Sequence, residues 1–291
     1  MSAALDVVGL TKVYQMRRQP SVVALDDVCL KVEQGQSVGL VGESGSGKST
    51  LARVVLGMES ASKGTVTIGS RIVGRRRSTS LRRELARTVQ MVFQDPYSSL
   101  DPRQTIGGML QEMHRFHFGP AKDGNGYTRE VAELLSSVGL DPSLAKARPR
   151  SLSGGQRQRA AIARALAPNP KLLVLDEAVS ALDVSVQAQV LNLLASIRAE
   201  RDLAVLFISH DLSVIQQVCD FVYVLRHGRM VEKGGVDEVL DHPSHPYTQM
   251  LRAAVPTEGW RPEEVAMEMA DGTQTASDEP EPESMLGVRP T

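Results

Sequence analysis

The stretch Gly42-Glu43-Ser44-Gly45-Ser46-Gly47-Lys48-Ser49-Thr50 decides how the rest of the chain is interpreted. It follows the apolar run 37–41 and precedes residues 51–56, whose apolar side chains recur at helical spacing. A glycine-rich loop between a strand and a helix is the context that the G-x-x-x-x-G-K-[ST] pattern requires. Glycines let successive backbone N–H groups face one concavity at a helix N-terminus, where phosphate binds. We therefore predict that residues 42–50 bind a nucleotide.

Four side chains suit a nucleoside triphosphate with magnesium. Lys48 would reach the β- and γ-phosphates, and the hydroxyl of Ser49 would ligate Mg²⁺. A second part of the site follows residues 171–175, an apolar run typical of a strand that is buried on both faces. Two carboxylates end this run, where burial cannot explain them. Asp176 suits a contact with Mg²⁺, and Glu177 suits polarising the attacking water.

Two further polar residues are predicted at the ends of strands. His210 follows the apolar run 203–208, and Gln94 follows the apolar run 89–92 at a turn. Residues 184–198 have a helical pattern and connect two apolar strands, which indicates a βαβ crossover. Open α/β sheets of this kind bind ligands at the carboxyl ends of their strands. The glutamine alone would carry little weight, but the histidine is placed to reach a bound ligand.

A second glycine pair begins the Ala- and Arg-rich helical pattern 157–167. Ser153 is expected to cap this helix, and Gly154 and Gly155 follow it directly. Such a helix start can receive an anion, although it has no phosphate-binding lysine of its own. An ordinary capped helix is the alternative interpretation.

The N-terminal residues 5–40 have the composition and alternation of β-strands. Tyr14 lies in this part of the chain, where a tyrosine is usually a half-buried strand residue. The nucleotide loop downstream favours a second role, in which the ring offers an aromatic face to adenine.

Composition places few limits on the function. The chain has 291 residues, a net charge of -1, 42% hydrophobic residues and 23% charged residues, as in ordinary globular proteins. This charge gives no support to bulk binding of nucleic acid. Neither a secretory signal nor an apolar run of about 20 residues is expected. Cys29 and Cys219 lie in apolar segments, so we expect two buried, reduced thiols.

The C-terminal residues 256–291 differ in composition from the rest of the chain. They are rich in Pro, Glu, Ser and Thr and carry nine acidic and two basic residues. Such a segment buries too little apolar surface to fold, and we predict an acidic, disordered tail.

Together, these motifs resemble the ATP-binding cassette (ABC) ATPases over about residues 5–255. The resemblance implies an α/β fold, a P-loop NTPase (RecA-like) core with an N-terminal antiparallel β subdomain and an inserted α-helical subdomain at about 97–165. The motif matches are the A-loop Tyr14, the Walker A residues Gly42 to Thr50, the Q-loop Gln94, the LSGGQ signature Leu152 to Gln156, the Walker B residues Leu172 to Glu177, the D-loop Ser180 to Asp183 and the switch residue His210.

This resemblance implies ATP and Mg²⁺ as cofactors and assigns roles to individual residues. The residues implied to contact ATP are Tyr14, Gly42, Glu43, Ser44, Gly45, Ser46, Gly47, Lys48, Ser49, Thr50, Ser153, Gly154, Gly155, Gln156 and Asp183. The implied Mg²⁺ environment comprises Ser49, Gln94 and Asp176. Those implied to act in hydrolysis are Lys48, Gln94, Glu177 and His210. In this family two ATPase domains sit head to tail, so Ser153 and Gly155 would act on ATP held by the partner.

A finer resemblance is to the ATPase subunits of oligopeptide and dipeptide importers. It depends on residues 92–103, on residues 176–189 and on His245-Pro246-Tyr247-Thr248 within a C-terminal segment at about 232–255. It implies peptide uptake, with related importers carrying nickel. The implied partners are a second ATPase subunit, either a paralogue or a second copy, two transmembrane permeases and an extracytoplasmic peptide-binding protein, with no nucleic acid. The chain would lie peripherally on the cytoplasmic face of the cell (inner) membrane.

Three other functions are compatible with parts of this motif set. An exporter ATPase with separate permeases would share every motif above. An ATPase of nucleic acid or the ribosome is disfavoured, because only about a hundred residues separate Thr50 from Leu152 and the chain holds a single cassette. A non-catalytic nucleotide-binding regulator is disfavoured by the intact Asp176-Glu177 pair and by His210.

Overall fold

The computed structural model describes residues 3–15, 20–73, 79–95, 99–121 and 126–254. Within them, two β-sheets and nine α-helices form an α/β architecture. The strands are β1 (Ala3–Tyr14), β2 (Val22–Glu33), β3 (Ser37–Val41), β4 (Lys63–Ile68), β5 (Arg71–Ile72), β6 (Val89–Val92), β7 (Leu172–Asp176), β8 (Ala204–Ile208), β9 (Phe221–Arg226) and β10 (Arg229–Gly235). The helices are α1 (Lys48–Val55), α2 (Thr79–Thr88), α3 (Ile106–Phe118), α4 (Thr128–Ser137), α5 (Gly154–Leu166), α6 (Val184–Arg201), α7 (Leu212–Val218), α8 (Val236–Asp241) and α9 (Pro246–Ala253).

The N-terminal residues form the smaller sheet, which is antiparallel and has the strand order β2-β1-β4-β5. Asp26 and Asp27 form a polar pair between two apolar runs, yet the structure has one long strand here. Leu10 pairs with Val28 and Lys12 pairs with Leu25, so β2 holds one extra residue at this point. Asp27 has a φ of 53°, and the bulge absorbs the polar pair without ending the strand.

The larger sheet has the strand order β10-β9-β3-β8-β7-β6. Strands β9, β3, β8, β7 and β6 are parallel, and β10 pairs antiparallel with β9 at the edge. All residues of β3 and β8 are buried, as continuous apolar runs predict for strands covered on both faces. The carboxyl ends of β3, β7 and β8 therefore meet at one edge of the sheet.

Two hydrophobic cores hold these layers together. The first lies between the antiparallel sheet, α1 and one face of the parallel sheet, and includes Leu5, Leu40 and Leu51. The second lies on the other face and joins the sheet to the helices, with Leu110 and Ile162 among its members. Because α1 is packed in the first core, the loop that precedes it is fixed at both ends.

Helices α3 and α4 lie within the range 97–165 that is predicted for a helical subdomain, and α5 begins in this range and ends one residue beyond it, at Leu166. The three helices pack on one another, and α3 and α4 also pack on a 3₁₀ helix at 142–146. The predicted α/β fold, with its N-terminal antiparallel sheet and inserted helices, is confirmed. The acidic tail at 256–291 falls outside the described residues. No helix in the described ranges is both long and apolar enough to cross a membrane.

The two cysteines occupy different environments. Cys219 is buried, and burial raises the pKa of its thiol to about 12. The prediction of a buried Cys29 is wrong, because this thiol is exposed. Val28 and Leu30 are buried on either side of it, so the two-residue period of β2 turns Cys29 to the opposite face of the sheet.

We expect N-ethylmaleimide to alkylate Cys29 in the native protein and to leave Cys219 unmodified, because only the exposed thiol is accessible to the reagent. Peptide mass spectrometry before and after unfolding in urea would measure both sites. A Cys29→Ser variant should take up no label until it unfolds. Equal labelling rates at the two native thiols would contradict the burial of Cys219.

Candidate nucleotide site

The loop between β3 and α1 is held by backbone contacts that only glycine allows. Gly42 has a φ of 148°, and a Cβ there would lie 2.1 Å from the carbonyl oxygen of Leu225. Gly47 has a φ of 112°, and its Cβ would lie 2.6 Å from the carbonyl oxygen of Ala24. The loop is therefore seated between β2 and β9, in a conformation that side chains at these positions would prevent.

Lys48 begins α1 and folds back over the loop. Its Nζ donates to the carbonyl oxygens of Gly42, at 2.6 Å, and Glu43, at 2.7 Å, and the residue is buried. Burial lowers the pKa of the Lys48 ammonium group below its ordinary value. The nearby carboxylates of Glu177 and Asp176 offset part of this shift. The geometry fixes a positive charge inside the curl of the loop, where phosphate oxygens would lie.

Asp176 ends β7 and forms a side-chain hydrogen bond with Ser49. Burial and the adjacent charge of Glu177 raise the pKa of Asp176, and the Ser49 hydrogen bond and Lys48 oppose this shift. A carboxylate and a hydroxyl are the oxygen ligands that Mg²⁺ prefers. The residues present therefore fit a Mg²⁺ ion, whose charge would favour the ionised form of Asp176.

Glu177 and His210 come together from neighbouring strands. The Glu177 backbone has a φ of 49°, and its N–H donates to the carbonyl oxygen of Ile208 at 2.8 Å. This left-handed turn directs the carboxylate toward the loop. His210 follows β8, and its Nδ1 lies 3.1 Å from Oε1 of Glu177. The histidine can therefore orient the carboxylate by donating a hydrogen bond to it.

Lys48, Ser49 and Glu177 border a cleft of about 340 Å³, whereas Asp176 and His210 are not among its lining residues. The predicted residues that line it are Ser44, Gly45, Gly47, Lys48, Ser49, Thr50 and Glu177. The remaining lining residues, which sequence reasoning missed, are Val22, Val23, Ala24, His227 and Gly228. They come from the start of β2 and from the β9–β10 turn, where the Gly228 N–H donates to the carbonyl oxygen of Ser46 at 2.9 Å. The place of these residues at the cleft follows from tertiary packing, so the sequence pattern alone gave no signal for them.

Tyr14 and Gln94 do not line this cleft. The Tyr14 hydroxyl bonds Glu59 Oε2 at 2.5 Å and also interacts with Thr50, and Lys12 Nζ lies 4.7 Å from the centre of the ring. The ring therefore lies beside the loop, with one face covered by an ammonium group. Gln94 is exposed, two residues beyond the end of β6.

Ser153 caps α5, as the sequence predicts. Gln156 N donates to Ser153 Oγ at 3.2 Å, and Ser153 N donates to Gln156 Oε1 at 3.0 Å, which forms a capping box. A Cβ at Gly155 would lie 2.6 Å from Val186 Cγ1, so this glycine allows α5 to approach α6. The Ser153 hydroxyl keeps its proton free for another acceptor.

The capped helix start borders a second cleft, of about 480 Å³. The predicted residues that line it are Ser153, Gly154, Gly155, Gln156 and Asp183. None of its lining residues borders the cleft at the phosphate loop. Within one chain, the signature residues therefore do not meet the phosphate loop.

Comparison with known proteins gives a consistent result. The oligopeptide transport ATP-binding protein AppF of Bacillus subtilis is 44% identical over 245 residues, which cover 82% of this chain and 72% of AppF. OppF of the same organism, also an oligopeptide transport ATP-binding protein, is 43% identical over 81% of this chain and 77% of its own length. The glutathione import ATP-binding protein GsiA of Pectobacterium atrosepticum is 44% identical, over 81% of this chain but 37% of GsiA.

Solved structures agree with this result. A dimeric post-hydrolysis state of the ATP-binding cassette MJ0796, bound to ADP and Pi, has a TM-score of 0.71 at 28% identity, over 80% of this chain and 98% of that one. CbiO1 of Clostridium perfringens, part of the ABC transporter complex cbiONQ, has a TM-score of 0.72 at 25% identity, over 87% and 96%. The family model for ABC transporters matches residues 25–180. The chain therefore belongs to the ABC transporter family.

Proposed function

We propose that this chain is the ATP-hydrolysing subunit of an ABC importer that takes up oligopeptides or dipeptides across the cytoplasmic membrane. Family membership supports the ATPase activity. The observation that carries the proposal is the convergence of Lys48, the Ser49–Asp176 pair and the Glu177–His210 pair on one edge of the parallel sheet. A non-catalytic regulator would have no need of this set of charges.

The chain's own residues would divide the work of hydrolysis. The loop amides and Lys48 hold the β- and γ-phosphates, while Ser49 and Asp176 hold Mg²⁺, which neutralises phosphate charge when bound. Glu177 orients the attacking water or accepts its proton. His210, through its contact with Glu177, positions that water and the γ-phosphate. Gln94 would join the Mg²⁺ environment, and Tyr14 would offer its free face to adenine.

A second ATPase subunit would complete the site. Since the signature residues line a separate cleft, Ser153 and Gly155 would act on ATP held by the partner, with Asp183 at the same interface. The dimeric state of the similar cassette MJ0796 supports this arrangement. Each chain then supplies half of two sites, whether the partner is a paralogue or a second copy.

The peptide substrate is proposed from the relatives. AppF and OppF are named for oligopeptide transport and GsiA for the import of glutathione, which is itself a tripeptide. The proposed complex adds two permeases, docked near residues 95–120, and an extracytoplasmic peptide-binding protein. The chain would lie peripherally on the cytoplasmic face of the membrane. Closure of the ATPase pair would move the permeases as rigid bodies.

Co-purification tests the importer assignment. Tagged Glu177→Gln protein, trapped with ATP and Mg²⁺, would be isolated from gently solubilised membranes and its partners identified by mass spectrometry. Permeases, a second ATPase and a binding protein carrying peptide are the expected result. A binding protein that carries nickel would overturn the peptide assignment, and ribosomes or DNA-repair factors without membrane partners would overturn the transporter.

We expect Glu177→Gln to retain ATP affinity and to lose about a hundredfold or more of the hydrolysis rate, because a positioned base contributes about 10²–10⁴ in rate. Phosphate release and nucleotide titration would measure the two effects. Glu133→Gln is the matched control, since Glu133 is exposed and paired with Arg129 outside both clefts. Substantial hydrolysis by the Glu177→Gln protein would contradict its role.

We expect Ser153→Ala to reduce hydrolysis by the assembled ATPase pair at least tenfold, while the nucleotide affinity of the isolated chain stays unchanged. The hydroxyl would serve the partner's ATP and not the chain's own. Thr105→Ala is the control, because Thr105 caps α3 by accepting from Gly108 N at 3.1 Å and lines neither cleft. Each variant should lose about 0.5–2 kcal/mol of unfolding free energy. Equal loss of hydrolysis in Ser153→Ala and Thr105→Ala would indicate that Ser153 acts only as a helix cap.

A further inference from the structure

The C-terminal helix α9 contacts the phosphate loop directly. The hydroxyl oxygen of Tyr247 accepts a hydrogen bond from the backbone N–H of Glu43, with 2.9 Å between nitrogen and oxygen. Tyr247 is only 3% exposed, and the guanidinium of Arg226 lies 4.9 Å from the centre of its ring. Two segments 204 residues apart in sequence are therefore joined through a buried side chain.

Tyr247 is in turn held on β10. The carboxylate of Glu232 accepts from both the N–H and the hydroxyl of Ser244 at 2.7 Å, and from the N–H of His245 at 3.2 Å. His245 Nδ1 then accepts from the N–H of Tyr247 at 3.0 Å and caps the helix. The tyrosine therefore has a rigid support, built on the same hairpin that contacts the loop elsewhere.

Two hydrogen bonds from the C-terminal part of the chain reach the phosphate loop at separate points. The turn of the β9–β10 hairpin binds it through Gly228 N and the carbonyl oxygen of Ser46, and Tyr247 binds it through Glu43. Between these points lies Gly45, which has a φ of 83° and no neighbour that a Cβ would touch. Such a segment loses conformational entropy when it orders around a ligand, and anchoring it beforehand reduces that cost.

We propose that Tyr247 is a positioning residue for ATP, which fixes the start of the phosphate loop and couples nucleotide binding to the docking of α9. This inference depends on the proposed function, in which residues 42–50 hold the phosphates. The coupling works in both directions, because two linked equilibria change each other by the same factor. Bound nucleotide should therefore tighten α9 on the loop.

Tyr247→Phe isolates this contact, since it removes the hydroxyl and keeps the buried ring. In a full-length Glu177→Gln background, we expect it to weaken the binding of ATP with Mg²⁺ about two- to tenfold, the effect of one net hydrogen bond. Tyr223→Phe is the matched control, because the buried Tyr223 hydroxyl accepts from Lys31 N at 3.1 Å, away from the cleft. It should leave the affinity unchanged, with a similar loss in Tm.

Hydrogen exchange provides a readout that a purely structural contact would not change. In the protein that retains Tyr247, we expect ATP with Mg²⁺ to slow amide exchange in residues 247–253. In Tyr247→Phe, we expect ATP with Mg²⁺ to have no such effect. A second variant, Glu232→Gln, removes part of the support behind Tyr247 and should weaken ATP binding in the same direction.

The outcomes separate the inference from the function on which it depends. If Lys48→Ala loses ATP binding while Tyr247→Phe binds as tightly as its parent, the positioning role is overturned and the nucleotide site stands. If Lys48→Ala also binds ATP normally, the positioning role of Tyr247 and the nucleotide site are both overturned. Equal losses of affinity in Tyr247→Phe and Tyr223→Phe would reduce the contact to general stability.

Discussion

The close approach of Gly42 to the carbonyl of Leu225 is the constraint on which the rest of the site depends. At this point two backbones touch, and no side chain can be accommodated without moving strand β9. Gly47 has the same relation to Ala24 in the antiparallel sheet. The loop is thus positioned by both sheets, and α1 begins where Lys48 faces the ends of β7 and β8. Backbone packing determines where the charges lie.

The charges around this loop are balanced only in part. Asp176 and Glu177 are adjacent in sequence, and their mutual repulsion adds to burial in raising the pKa of Asp176. The charge of Lys48 lowers the pKa of Asp176 and so offsets part of this repulsion. Burial of Lys48 lowers the pKa of its own ammonium group. On the proposed mechanism, a cation beside Asp176 and a polyanion beside Lys48 would each offset one of these buried charges. We therefore expect nucleotide and metal ion to bind jointly.

The sequence was sufficient to predict the strands that carry Asp176 and His210, because buried parallel strands appear as unbroken apolar runs. It also predicted the cap at Ser153, which is a local interaction between neighbouring residues. It could not predict His227 or Tyr247 at the loop, since both arrive through tertiary packing across about two hundred residues. Cys29 was misplaced because the alternation of β2 was overlooked in a short apolar run.

Different sets of residues line the two clefts, and this separation has a consequence for ATP use in the cell. On the proposed mechanism, a lone chain holds ATP but cannot bring its own signature helix to the γ-phosphate. Subunits that have not found a partner would then consume almost no ATP. ATP hydrolysis would then depend on pairing of the subunits, so an excess of this subunit over its transporter would not waste ATP.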